Sequence, residues 1–185
     1  MKIEIVHQPF PETVFRQSHT RSKGVHLSQI IQDMEETLYP DRFKNTAGWN
    51  LSVAAQVGVF WERLLEQAYS DVFAIDVGEV SLDGIIGTPD GVNFDEDGAY
   101  VEEYKLTWKS SVNDPLGVFK YRMQGMGYCK LLGLTRVLYR ILHLMGDYKG
   151  SGPQYKVWMV EWEQEEIDEA WDSIVSHARY RGWLV

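Results

Sequence analysis

The segment Gly87-Thr88-Pro89-Asp90-Gly91 and the segment Val101-Glu102-Glu103-Tyr104-Lys105 flank the acidic turn Asp95-Glu96-Asp97-Gly98. Extended runs on either side of such a turn predict a hairpin. Side chains alternate along a strand, so Glu103 and Lys105 share one face while Glu102 and Tyr104 take the other. Asp90, at the end of the preceding strand, then has Glu103 within reach across the ladder. Two carboxylates and a lysine converge.

Carboxylates about 4 Å apart repel by roughly 4 kcal/mol at an effective dielectric near 20, so the cluster needs a cation or a proton between them. Hard oxygen donors without His or Cys favour Mg²⁺ or Mn²⁺ over zinc. A lysine one step along the strand is placed to hold an attacking water or to stabilise charge on a phosphorane-like state. The set suits metal-assisted phosphodiester hydrolysis.

Outward from this hairpin, the apolar positions Leu27, Ile30, Ile31, Met34 and Leu38 predict a helix that ends at Pro40. A longer helix is expected over 50–69, and Glu62 falls on its apolar stripe. A carboxylate there needs a partner. Strand-like runs follow at 72–77, 80–87 and 99–107, then a helix over 116–132 interrupted by Gly125 and Gly127. Paired small residues let a helix lie close against a neighbour. Two strands at 136–145 and 155–162 and an amphipathic helix with Ile167, Trp171, Ile174 and Ala178 on one face complete the chain. The order predicts an α/β domain with a mixed central sheet flanked by helices.

At 185 residues and 44% hydrophobic, the chain can bury a core, and one domain over 1–185 with an irregular extension at 1–24 is expected. No apolar run reaches membrane-spanning length, and Met1 to Phe10 shows no export signal, so a cytoplasmic protein without membrane contact is expected. Cys129 is the only cysteine, which excludes disulfides and a four-thiolate cluster within the chain and is read as core packing. The seven Trp are read mostly as core, with base stacking the other use for Trp49, Trp61 and Trp108.

The net charge of −9 argues at first against a polyanionic partner. Yet between Tyr104 and Gly146 seven basic residues (Lys105, Lys109, Lys120, Arg122, Lys130, Arg136, Arg140) face Asp114 alone. Arg16, Arg21 and Lys23 form a second basic zone. Because salt screens charges beyond about 10 Å, a local basic surface can hold a polyanion on an acidic body. For Arg16, Arg21, Lys23, Lys109, Lys120, Arg122 and Lys130 two uses stay open: solvated helix faces, or contacts that position DNA phosphates.

These residues resemble the PD-(D/E)XK nuclease superfamily, in its RecB-like and phage lambda exonuclease-like branch. Pro89-Asp90 resembles the PD element and Glu103-Tyr104-Lys105 the (D/E)XK element. Gly58-Val59-Phe60-Trp61-Glu62 resembles the upstream helix that contributes an acid, Gln124-Gly125-Met126-Gly127-Tyr128 the QxxxY element, and Leu27-Ser28-Gln29-Ile30 the Ser-containing helix start. The matches run in family order from about residue 26 to 128.

The resemblance implies a restriction-endonuclease-like core. It makes Glu62, Asp90 and Glu103 metal ligands, with the Tyr104 carbonyl a further one, and Lys105 the catalytic lysine. Gln124 and Tyr128 would organise the site or contact DNA. It further implies a Mg²⁺- or Mn²⁺-dependent deoxyribonuclease, an exonuclease rather than a sequence-specific endonuclease, working in recombination, repair or phage DNA processing. DNA with a free end is the expected partner, with a homo-oligomer or a recombination protein as further partners in a prokaryotic or phage-infected cell. Two rivals stand beside it: an inactive nuclease-fold module that binds DNA or protein, and a carboxylate-pair hydrolase of a small acidic or glycosidic substrate, for which Lys105 has no evident use.

Overall fold

The computed structural model describes residues 22–43, 75–107, 114–145 and 152–184, together with the helical residues 57, 58, 60, 61 and 64. Among the described residues no helix is long and apolar enough to cross a membrane.

Strand β1 (Val25–His26) runs directly into helix α1 (Leu27–Leu38). Of the expected stripe Leu27, Ile30, Ile31 and Met34 face the core, whereas Leu38, in the last turn, is exposed. Tyr39 leaves the helical region because the following Pro40 disfavours it, and Pro40 opens the short helix α2 (Pro40–Phe43).

The expected strand over 80–87 is two strands, β2 (Val80–Leu82) and β3 (Ile85–Gly87), folded back on each other. Asp83 and Gly84 both take positive φ, 53° and 79°, the two-residue turn whose twist matches a hairpin. The Asp-Gly signal for it was in the sequence. Strand β1 pairs in parallel with β3, giving a small sheet of order β1-β3-β2. Of the strand expected over 72–77, the described part is a single bridge from Ile75 to Val92; residues 72–74 lie outside the described residues, as does most of the helix expected over 50–69.

A second sheet carries the site. Strands β4 (Gly91–Asp95) and β5 (Gly98–Thr107) form the expected hairpin around Glu96-Asp97. Strand β6 (Arg136–His143) pairs with β5 in parallel, and β7 (Gln154–Glu161) pairs with β6 antiparallel, so the order β4-β5-β6-β7 is mixed, as expected. Among the described residues the strands fall into two sheets.

Helix α3 (Phe119–Leu132) crosses between β5 and β6, as a parallel pair requires, and helix α4 (Gln164–Tyr180) follows β7. One face of β5 and β6, formed by Val101, Val137, Tyr139 and Ile141, packs with Met123, Met126 and Cys129 of α3 and Ile167, Trp171 and Ile174 of α4. Cys129 is fully buried, as read from the sequence. Trp162 and Trp171 are core, and Trp61 packs edge-on to Tyr155; Trp49 and Trp108 lie outside the described residues.

The glycines of α3 explain its close approach. A Cβ on Gly127 would stand 2.7 Å from Leu27 of α1. One on Gly125 would collide with the Tyr139 hydroxyl and meet Trp162 at 2.9 Å.

Candidate active site

Strand β5 separates its two acids. Glu102 turns to one face, where Arg140 of β6 grips it with two hydrogen bonds of 2.8 and 3.0 Å. Glu103 turns to the other, beneath α3, and is completely buried. The alternation places Lys105 on the Glu103 face, where its ammonium lies against Glu103 Oε1. Glu103 Oε2 is buried with no hydrogen-bond partner.

Asp90 sits at the bend between β3 and β4. The ladder pairs Gly91 with Glu102, which puts Asp90 alongside Glu103, and its Oδ2 accepts the Tyr104 N–H at 2.6 Å. That bond fixes the Asp90 carboxylate to the strand that carries Glu103 and Lys105. Buried Pro89 stiffens the approach.

The electrostatics follow from this crowding. Burial pushes the Glu103 carboxyl up to about 8; the Lys105 charge opposes the rise and the Asp90 charge adds to it. For Lys105 burial acts to lower the pKa, but the charges of Glu103 and Asp90 outweigh it and hold the ammonium well above the usual lysine range. The lysine therefore keeps its proton, and the carboxylates are short of positive charge.

Helix α3 closes the site from above. Gln124 Nε2 donates to the Tyr128 hydroxyl at 2.9 Å, the expected one-turn pair, and both residues are buried. Burial first, then the Glu103 charge, pushes the Tyr128 phenol far up, so it stays neutral. Tyr121 lies under the Lys105 ammonium, 5.9 Å from ring centre to nitrogen.

The described fold thus brings together Asp90, Glu103, Tyr104, Lys105, Gln124 and Tyr128. Glu62, Arg16, Arg21 and Lys109 lie outside the described residues. Of the remaining basic residues, Lys23 and Arg122 are exposed and Lys120 is half-buried. Lys130, partly exposed, bonds Asp168 of α4 at 2.7 Å. Sequence reasoning missed Tyr121, Gln32 and Glu35. Glu35 carries a signal that was readable, since it adjoins Met34 on the apolar stripe of α1, and it is indeed buried.

Among the described residues no three His, Cys, Asp or Glu side chains gather into a metal-holding group. Asp90 and Glu103 contribute two carboxylates, and the buried, unpartnered Oε2 of Glu103 is a donor that fits a hard divalent cation.

No protein-family model matches the chain, and no curated protein matches it in sequence. Solved structures match in fold. An alkaline exonuclease from Laribacter hongkongensis shares 17% identity at a TM-score of 0.53, over 85% of this chain and 87% of that one. The structure of that enzyme in complex with dAMP gives 16% identity and a TM-score of 0.53, again over 85% and 87%. A phage-related exonuclease from Haemophilus somnus shares 12% identity at a TM-score of 0.51, over 83% and 79%. This chain therefore has the fold of these exonucleases, the nuclease fold that its Pro89-Asp90, Glu103-x-Lys105 and Gln124/Tyr128 elements implied.

Proposed function

We propose that this chain is a Mg²⁺- or Mn²⁺-dependent deoxyribonuclease, an exonuclease that acts on DNA with a free end. The observation that carries the reading is the convergence of Asp90, Glu103 and Lys105 at the root of one hairpin, with Asp90 tied to the Tyr104 amide. Asp90 and Glu103, joined by Glu62 and the Tyr104 carbonyl, would hold the ion. When bound, the ion supplies positive charge that polarises the phosphate and makes a coordinated water acidic. Lys105 keeps its proton and presents an ammonium to the attacking water or to the oxygen on which charge develops. Gln124 and Tyr128 hold the ceiling of the site, and the neutral Tyr128 hydroxyl, which accepts from Gln124, keeps its own proton to donate to a phosphate oxygen.

The fold shared with an exonuclease studied in complex with dAMP supports a nucleotide product. Processing of DNA in recombination, repair or phage replication, in the cytoplasm, is the setting that suits such an activity. The test is cleavage of linear DNA with Mg²⁺ or Mn²⁺ by the wild type, Lys105→Ala and Asp90→Ala. Loss of cleavage by at least about 100-fold in both variants, and on chelation of the metal, is expected. Equal cleavage by all three proteins would sink the proposal.

A further inference from the structure

Five described lysines and arginines are not exposed: Lys105, Lys120, Lys130, Arg136 and Arg140. Four of them are paired with a carboxylate, respectively Glu103, Asp168, Asp95 and Glu102. Lys120 is the exception. Its ammonium donates to a neutral amide oxygen, Gln32 Oε1 of α1, at 3.2 Å. The other end of that amide is anchored as well, since Gln32 Nε2 donates to Glu36 Oε1 at 2.6 Å.

The arrangement is directional. Lys120 stands in the first turn of α3, and the charges of Lys105, Glu35, Glu103 and Glu36 all act on it, so it shares the electrostatic environment of the candidate site. A half-buried ammonium that needed only to be satisfied would be best served by a carboxylate. An amide satisfies one N–H without a direct ion pair. A charge kept in that state, beside a second lysine, suits an anion that arrives later.

We infer that Gln32 is a positioning residue that holds the Lys120 ammonium toward a backbone phosphodiester of the bound nucleic acid, next to the one served by Lys105. The inference rests on the nuclease reading for its ligand but not on cleavage. Glu36 fixes the orientation of the Gln32 amide, so that its oxygen, not its nitrogen, meets the lysine. The contact supplies charge without reading sequence, because a phosphate is common to every nucleotide.

The test is binding of a linear duplex with 5′-hydroxyl ends, with Ca²⁺ in place of Mg²⁺, as a function of salt concentration. Each phosphate contact adds about 0.9 to the slope of log affinity against log salt. Lys120→Gln is expected to lower that slope by about one. Lys120→Arg is expected to keep it. Gln32→Glu is the decisive variant: it leaves Lys120 in place but gives it a carboxylate partner, and it should reproduce the loss seen in Lys120→Gln. All variants are compared at equal folded fraction, checked by thermal melting. Unchanged slopes in Lys120→Gln and Gln32→Glu overturn the inference and leave the nuclease reading intact. Wild-type binding without cleavage on Mg²⁺ does the reverse. A wild type that binds no DNA overturns both.

Discussion

The Gln124 side-chain amide donates to the Tyr128 hydroxyl at 2.9 Å across one turn of α3, inside a buried layer above Glu103. Removing one partner leaves the other polar group buried and unsatisfied, at about 1 to 3 kcal/mol. Tyr128→Phe and Gln124→Leu should each destabilise by that amount. The double variant should lose clearly less than the sum, because the pair is then replaced by apolar groups together. Denaturant melts of the four proteins measure the coupling, and strict additivity would show that the two side chains act independently.

Neighbouring acids on β5 should behave in opposite ways. Glu102 is 1% exposed and its partner Arg140 13%, so Glu102→Gln takes the counter-charge from a largely buried ion pair and should cost about 1 to 3 kcal/mol. Per folded molecule its cleavage should stay near wild type, since Glu102 points away from the site. Glu103→Gln should abolish cleavage, and its stability loss should be smaller, because Lys105 keeps Asp90 as a counter-charge. Melting temperature and metal-dependent cleavage, measured side by side, separate the two. Equal activity in both variants contradicts the assignment of faces.

Gly125→Ala should destabilise although alanine is the better helix former by about 1 kcal/mol. The added methyl meets Trp162 at 2.9 Å and collides with the Tyr139 hydroxyl, which donates to the Tyr121 carbonyl at 2.8 Å. Overpacking of this kind costs about 1 to 3 kcal/mol. A net loss in an equilibrium melt is expected, and a gain would mean that α3 is free to move off the sheet.

These contacts mark what was legible in the sequence. The alternation along Val101 to Lys105 placed Glu103 and Lys105 together and Glu102 opposite, because a strand has only two faces. The four-residue spacing of Gln124 and Tyr128 placed them on one side of a helix for the same kind of reason. Gly125 and Gly127 signalled a close approach but not its targets, Tyr139 and Leu27, since those lie on elements distant in sequence. The hairpin at Asp83-Gly84 was written in its turn residues and obscured by the continuous apolar run around them. The Arg140–Glu102, Lys130–Asp168 and Lys120–Gln32 pairs join residues at separations of 38, 38 and 88. No local pattern chooses such partners; strand pairing and the packing of helix against helix do.

His143 gives the fold a pH dependence of its own. It is 2% exposed, packs edge-on to Trp158 with ring centres 5.9 Å apart, and neither ring nitrogen has a hydrogen-bond partner. Burial, with the Lys156 charge acting in the same direction, holds its pKa below the ordinary 6.5. The ring is therefore more easily protonated in the unfolded chain than in the folded one. Its contribution to stability is fully present above the unfolded value and is lost as pH falls toward the folded value. His143→Leu, which removes the titration without removing a hydrogen bond, should flatten the stability profile between about pH 7 and 5. Denaturant melts across that range should show the wild type losing more stability than the variant. If both lose the same amount, the acid sensitivity lies in other groups and His143 is protonated as readily in the fold as out of it.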